Sequence, residues 1–123
     1  MKIQEITDEK IIFDNRNYLT FHHNQDCCEC VYADFEHIQV VTNLGANCVN
    51  SNELEFDEEL EKYIFPITGL GFAIEDKHGI KLFVSCYNRQ NGYYSSDLEL
   101  QYFKMAPTKT IIDISDCVQD DIN

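Results

Sequence analysis

Alternating hydrophobic and polar positions mark short strands along much of this chain. Residues 10–13 and 18–23 are two such runs, and the turn-forming sequence D-N-R-N separates them. This arrangement predicts a β-hairpin. Period-two alternation on the second strand places Leu19, Phe21 and His23 on one face, so we expect His23 to point with the apolar side chains.

A helical pattern follows this hairpin and predicts a short helix over residues 27–36. Asp26 fits the N-cap position, with Glu29 at the third helical position in a D-x-x-E form of the capping box. Three- and four-residue spacing then relates four apolar positions, which predicts one buried helical face. These positions are Cys28, Val31, Tyr32 and Phe35.

The middle of the chain changes character twice. Residues 38–41 have the composition of a strand, and residues 43–52 form a polar, turn-rich loop. Residues 53–61 carry six acidic side chains and no basic one, with apolar residues between them. This segment fits a short acidic helix or an acid-faced strand and loop, and both interpretations stay open. Pro66 and Gly69 end it.

The second half of the chain predicts antiparallel sheet. Residues 70–74 and 80–85 flank the turn 76–79, and residues 97–103 are expected to pair next to them. Residues 110–114 add an edge strand. The predicted fold is therefore α+β, mainly an antiparallel β-sheet meander with one or two short helices packed on one face, in a single domain over residues 1–123.

Composition and charge restrict the kinds of molecule that this protein can bind. With 44% hydrophobic and 12% aromatic residues, the chain has the material for a folded core. Its formal net charge is -13, which repels nucleic-acid phosphates and anionic membranes. The same charge steers the protein toward a basic groove on another protein, although solubility alone would also explain it.

The N-terminal residues lack the apolar run of a signal peptide, and no segment reaches the length of a membrane span, so we expect a cytoplasmic protein. Six cysteines in a reducing compartment indicate metal or thiol chemistry before disulfides. Three of them are scattered, and each is expected to be a small buried apolar residue. These are Cys48, Cys86 and Cys117.

The remaining cysteines define the strongest candidate site, since His22 and His23 precede the sequence N-Q-D-C-C-E-C. Zinc prefers thiolate and imidazole ligands, usually four in a tetrahedron, and a helix N-terminus favours thiolate. We expect a structural zinc ion, with Asp26, Cys30 and His22 competing for the fourth position and His78 or Cys86 as distant alternatives. The first-choice ligands are His23, Cys27 and Cys28.

Two other interpretations of this site remain. In the first, Cys28 belongs to the core and the neighbouring cysteines and histidines are ordinary surface and strand residues. In the second, Cys27 is a low-pKa nucleophile with His23 as its base, but no oxyanion hole or phosphate-binding loop accompanies them. We therefore predict no catalytic residues. His37 and His78 have the sequence context of solvated turn or helix-end residues.

Two further segments are candidates for binding a partner. Asn91-Gly92 predicts a tight turn, after which Tyr93 and Tyr94 face opposite sides of a strand, one packing inward and one available to cover the site or a partner. The acidic segment supplies the charged part of the surface. Its residues in this prediction are Glu53, Glu55, Asp57, Glu58 and Glu59.

The motifs H-x-Q-D-C-C-E-x-V, from His23 to Val31, and N-G-Y-Y-S, residues 91–95, resemble those of a family of small phage and prophage proteins that has no assigned function. The resemblance covers about residues 18–34 and 80–100. The chain differs from that family in Cys30, in Cys86 and in a longer acidic insert. The resemblance implies a phage or mobile-element origin and a preserved His/Cys centre, and it implies no known enzyme.

The sequence thus favours a phage accessory protein that binds and inhibits a host defence protein. A CRISPR effector nuclease is the partner we expect, because its guide and target duplex lies in a basic channel. The alternatives are a metal- or thiol-dependent enzyme or redox protein, which needs an open coordination position or an accessible Cys27, and a phage structural component.

Overall fold

The computed structural model describes residues 1–23, 31–41, 50–88, 97–105 and 108–120. These residues form short strands joined by single turns of 3-10 helix at Phe35–His37, Ser51–Glu53, Leu60–Tyr63 and Ser115–Cys117. The strands are β1 (Ile3–Ile6), β2 (Lys10–Phe13), β3 (Tyr18–His22), β4 (Val31–Ala33), β5 (Gln39–Val41), β6 (Ile64–Ile67), β7 (Gly71–Glu75), β8 (Lys81–Asn88), β9 (Glu99–Phe103), β10 (Lys109–Asp113) and β11 (Val118–Asp120).

The strands form two sheets. The first has five antiparallel strands in the order β1-β2-β3-β9-β10. The second is built around β8, which pairs with β7 and β5 along its first half and with β11 and β4 along its second. Strand β6 extends this sheet beyond β7, and among the described strands only the β8–β11 pair is parallel.

Both sheets contribute their inner faces to one hydrophobic core. Along β8, buried Leu82, Val84 and Cys86 alternate with half-buried residues, as expected for a strand with one face inward. The first sheet contributes Ile11 and Leu19 among others to the same cluster. Each fully buried aliphatic side chain stabilises the fold by about 1.5 to 3 kcal/mol relative to exposure. The described residues contain no helix long and apolar enough to cross a membrane.

Tyr102 is the largest fully buried side chain among the described residues, and its hydroxyl is hydrogen-bonded. The hydroxyl donates to the carbonyl of Glu58 at 2.7 Å and accepts from the side-chain amide of Asn17 at 2.9 Å. Asn17 in turn accepts from the backbone N–H of Met105 at 3.0 Å. This network joins β9 to the first hairpin and to the acidic segment.

Several predicted strands are confirmed. The first hairpin forms from β2 and β3, β5 lies within residues 38–41, and β7 pairs with β8 across the turn at residues 76–79. Strand β10 is an edge strand, as predicted. Strands β1, β6 and β11 have no counterpart in the prediction.

The predicted helix over residues 27–36 is wrong for its described part. Val31 and Ala33 are buried while Tyr32 is only half-buried, so the side chains alternate with the period of a strand. The backbone pairs with β8, and the Tyr32 ring lies 5.7 Å from the ring of Tyr87. Pairing with a neighbouring strand therefore overrides the helical spacing. Asp26 to Glu29, the expected helix start, lie outside the described residues.

The predicted α+β meander is also incorrect in two respects. The prediction of a mainly antiparallel β-sheet protein is confirmed. The predicted α-helices packed on one face are not found, because within the described ranges the helices are single 3-10 turns. In addition, β9 does not pair with β8; it lies in the other sheet, between β3 and β10. The chain changes sheets between residues 88 and 99, which local alternation cannot reveal because a strand carries the same pattern in either sheet.

We predict that Tyr102→Phe lowers the free energy of unfolding by about 1 to 3 kcal/mol, because the Glu58 carbonyl and the Asn17 amide lose a buried partner. Urea unfolding at pH 7 measures the loss. Tyr18→Phe is the matched control. Tyr18 is half-buried and its ring stacks on Phe103 at 4.7 Å, a contact that phenylalanine keeps. The free energy of unfolding of this variant should therefore differ from wild type by no more than about 0.5 kcal/mol. Equal losses in both variants would contradict the role given to the Tyr102 hydroxyl.

The same network predicts a pH dependence. Burial raises the pKa of Tyr102 from 10.0 to about 12. A group whose pKa is raised on folding stabilises the fold fully below its unfolded pKa and loses that contribution as the pH rises through its folded pKa. Stability should therefore fall between about pH 10 and pH 12. The fall should be shallower in Tyr102→Phe, and an identical slope in both proteins would be the contrary result.

Candidate functional site

His23 lies at the end of β3, where the first sheet meets the segment that carries the cysteines. The register of β3 and β9 pairs His22 with Glu99 and so brings His23 to Asp97. The His23 side chain is only 5% exposed. The predicted inward direction of His23 is confirmed, and its position is fixed by strand pairing.

The His23 ring has a defined orientation. Its Nδ1 lies 2.5 Å from the backbone carbonyl oxygen of Asp97 and 3.3 Å from that residue's carboxylate. A carbonyl oxygen only accepts, so Nδ1 is the donor in this hydrogen bond. Donation from one ring nitrogen to a carbonyl or carboxylate is the arrangement that orients metal-binding histidines.

A polar cavity of about 330 Å³ opens on the other face of the same sheet end. Direct register places His22, Glu99 and Asp113 in a row across β3, β9 and β10. Three carboxylates and one imidazole make this cavity attractive to cations and basic side chains. Its lining residues are His22, Asp97, Leu98, Glu99, Asp113 and Ser115.

Ser115 fixes the positions of Asp113 and Leu98 at this cavity by hydrogen bonds. Its hydroxyl donates to Asp113 at 2.6 Å, its N–H donates to the same oxygen at 3.0 Å, and its hydroxyl accepts from the N–H of Leu98 at 3.1 Å. The hydrogen bonds from Ser115 hold the pKa of Asp113 below its usual range. Asp113 therefore stays ionised in the cavity at neutral pH.

The other predicted ligands of this centre fall outside the described chain. Asp26, Cys27, Cys28 and Cys30 all lie between residues 24 and 30, so the zinc site and the Cys27–His23 alternative stay predictions. Among the residues that the structure describes, no three His, Cys, Asp or Glu side chains form a group able to hold a metal ion.

The other histidines and two of the scattered cysteines lie where they were expected. His37 is 78% exposed beside Asp34, and His78 is exposed on the turn between β7 and β8, 3.8 Å from Glu55. Cys86 and Cys117 are free and buried in the core. Burial raises the pKa of the Cys86 thiol to about 12, which disfavours the thiolate that a metal requires. Cys48 lies outside the described residues.

The acidic segment is neither α-helix nor strand. Its central residues lie between two 3-10 turns, with Leu54 and Phe56 fully buried and Glu53, Glu58 and Glu59 exposed. Glu61 instead turns inward and forms an ion pair of 3.1 Å with Lys104. The backbone of Phe56 exchanges two hydrogen bonds of 2.7 Å with Met1, including one from the N-terminal ammonium group. The carboxylate of Asp76 accepts from the N–H of Glu55 at 3.3 Å. These hydrogen bonds fix the backbone of the acidic segment to Met1 and to Asp76.

The predicted partner-binding acids differ in their surroundings. Glu59 forms an ion pair of 2.6 Å with Lys62, and Glu55 lies near His78. Glu53, Asp57 and Glu58 form no ion pair within the described part of the chain, so they carry the uncompensated charge. Tyr93 and Tyr94, the other predicted contact residues, lie outside the described residues.

A family model described as a domain of unknown function (DUF7448) matches residues 1–100. The chain belongs to the DUF7448 family. The match contains both histidines of the site, the cysteine segment and the start of β9, and it ends before β10. No curated protein and no solved structure matches the chain. Membership of DUF7448 agrees with the expected family of unassigned function.

The polar site residues that sequence reasoning missed are Asp97, Glu99, Asp113 and Ser115. Asp97 is 74 positions from His23, and only the pairing of β3 with β9 brings the two together. Asp97 would have been found by a prediction that residues 97–103 pair with the second strand of the first hairpin. Ser115 contacts Asp113 through a turn that ends β10, for which the D-x-S sequence was the available sign.

We predict that His23→Asn destabilises the metal-free protein less than His23→Ala. The asparagine Nδ2 occupies the position of the histidine Nδ1 and keeps the donation to the Asp97 carbonyl, whereas alanine leaves that carbonyl without this donor. The difference should be about 1 kcal/mol. Urea unfolding in the presence of a chelator measures it, and equal destabilisation would contradict the orienting hydrogen bond.

Proposed function

We propose that this DUF7448 protein is a small phage or mobile-element protein that holds a structural zinc ion and acts in the host cytoplasm by binding and inhibiting a basic host protein. The observation that carries the zinc part is the buried His23, whose Nδ1 is hydrogen-bonded to the Asp97 carbonyl. The net charge of -13 and the outward acidic segment support the binding part.

Of the first-choice ligands, His23 is the one that lies within the described residues. A hydrogen bond from Nδ1 to a backbone carbonyl is the contact that orients the other ring nitrogen of metal-binding histidines. Cys27 and Cys28 follow at four and five positions along the chain, close enough in sequence for a local site. With Asp26 or Cys30 as the fourth ligand, the site is closed by protein groups and its role is structural rather than catalytic.

The acidic segment is suited to contact with a basic surface. Backbone hydrogen bonds to Met1 and Lys77 and the buried Phe56 fix its position, so its carboxylates are presented with little loss of backbone entropy on binding. A nucleic-acid channel of a CRISPR effector nuclease has the complementary charge, and occupying it would block the guide or target strand. Repulsion from phosphates argues against direct nucleic-acid binding.

The metal proposal predicts about one zinc ion per chain in untagged protein, measured by elemental mass spectrometry. His23→Asn keeps the hydrogen bond to Asp97 and lacks the ring Nε2, so it should lose the zinc, as should Cys28→Ala. His37→Asn is the matched control at an exposed histidine and should keep it. Zinc-free wild type, or zinc retained in His23→Asn, would contradict the proposal.

The binding proposal predicts that the protein inhibits DNA cleavage by a type II CRISPR effector and that the acidic segment carries the contact. Glu53→Lys with Glu58→Lys, at two exposed positions, should weaken inhibition by at least about tenfold, the effect of losing a few charged contacts. Glu5→Lys with Asp8→Lys makes the same change of net charge, from -13 to -9, at exposed positions elsewhere.

This control pair should weaken inhibition by no more than about twofold, since only long-range attraction is altered. Equal weakening by both pairs would mean that net charge acts alone and no defined acidic surface exists. Absence of inhibition, together with no recovery of any nucleic-acid-binding protein from host lysate, would overturn the proposed inhibitory function.

A further inference from the structure

Strand β10 is an edge strand that is regular along its whole length. It is the outer strand of the first sheet, and all five of its residues pair in unbroken register with β9. An edge of this kind presents a row of backbone donors and acceptors to any strand of matching length. Within the described residues, no other strand pairs with the outer side of β10.

The other outer strands of the two sheets are less suited to pairing. Strand β1 has four residues with an irregular register, and its neighbouring residues Met1 and Lys2 are bonded to Phe56 and Asp14. Strand β6 contains Pro66, which has no N–H to donate. Strands β4, β5 and β11 have three residues each, and a 3-10 turn separates β4 from β5. Such features normally protect sheet edges, and β10 has no proline and no bulge.

The sequence of β10 is complementary to itself in the antiparallel direction. When two copies pair about a two-fold axis at Ile111, Lys109 of each copy lies directly opposite Asp113 of the other. Opposite charges at directly facing positions stabilise an antiparallel pair. Thr110 faces Ile112 on the inner side, and the two Ile111 side chains meet on the outer side. Ile111 is 51% exposed in the single chain, so this contact buries apolar surface.

We propose that the protein self-associates through β10, pairing two copies in antiparallel register about Ile111 to form one continuous ten-stranded sheet from the two five-stranded sheets. The contact is isologous, so it closes at two copies and does not extend into a filament. It uses backbone hydrogen bonds along the edge, with the facing Lys109 and Asp113 setting the register.

The dimer is expected to be weak. Five residues from each copy form a small interface, and the charge of -13 on each copy opposes association. A dissociation constant of about 10 to 500 µM is expected for such a contact. Salt at about 0.15 to 0.3 M screens the repulsion beyond about 8 Å and should favour the dimer relative to low salt.

Sedimentation velocity of the full chain over a concentration series tests the proposal. The wild type should shift from monomer toward dimer as its concentration rises to about 1 mM, well above the expected dissociation constant. Ile111→Lys, which places two like charges face to face on the axis, should weaken dimerisation at least about tenfold. Leu70→Lys makes the same change at an exposed leucine in the turn between β6 and β7 and should dimerise like wild type.

A pair of complementary variants tests the register. Lys109→Glu alone and Asp113→Lys alone should each remain monomeric, because each sets two like-charged pairs across the axis. A mixture of the two should dimerise, since every facing pair is then opposite in charge. Unfolding midpoints confirm that each variant is folded, and Ile111→Lys keeps the proposal testable if Asp113→Lys is not.

A wild type that stays monomeric at 1 mM overturns the proposal. A dimer that Ile111→Lys does not weaken overturns it as well, because association then uses another surface. A mixture of charge variants no more associated than its components overturns the two-fold register. None of these outcomes depends on zinc or on a host partner, so the proposal stands or fails separately from the proposed function.

Discussion

The antiparallel pairing of β3 with β9 is the constraint on which both the fold and the candidate site depend. It joins the N-terminal hairpin to the C-terminal strands over five consecutive residue pairs and completes the first sheet. The same register carries Asp97 to His23 and places Tyr102 beside Leu19 in the core. A one-residue slip would turn His23 outward and Tyr102 away from Asn17, since strand side chains alternate between faces.

The second sheet depends on β8 in a similar way. Its eight residues pair with four neighbouring strands. Short strands such as β4 and β11 are therefore stabilised by pairing with β8 rather than by their own length. This explains why Val31 to Ala33 adopt a strand despite helical spacing in the sequence. The backbone groups of three residues gain partners on β8, while an isolated helix of that length is marginal in water.

Sequence patterns predicted many of the individual strands correctly, but they did not predict which strands pair over long distances in the chain. Alternation around Leu19 and Leu82 identified β3 and β8, and the D-K-H-G turn identified the hairpin between β7 and β8. The choice of sheet for β9 escaped prediction because Leu100 and Tyr102 would be buried equally well in either sheet. His23 was found from its neighbouring cysteines and from alternation, whereas Asp97 required the tertiary register. The acidic segment was ambiguous because its outward charges and buried Phe56 fit extended backbone as well as helix.

The central claim is that His23 supplies an imidazole ligand to a zinc ion whose other ligands come from the adjoining cysteine segment. X-ray absorption at the zinc edge, on the protein as purified, tests it most directly. The account predicts four-coordinate zinc with nitrogen or oxygen at about 2.0 Å and sulfur at about 2.3 Å, and loss of the bound zinc and its spectrum in His23→Asn. A first shell of oxygen and nitrogen alone, or a sulfur-containing spectrum unchanged in His23→Asn, would contradict it.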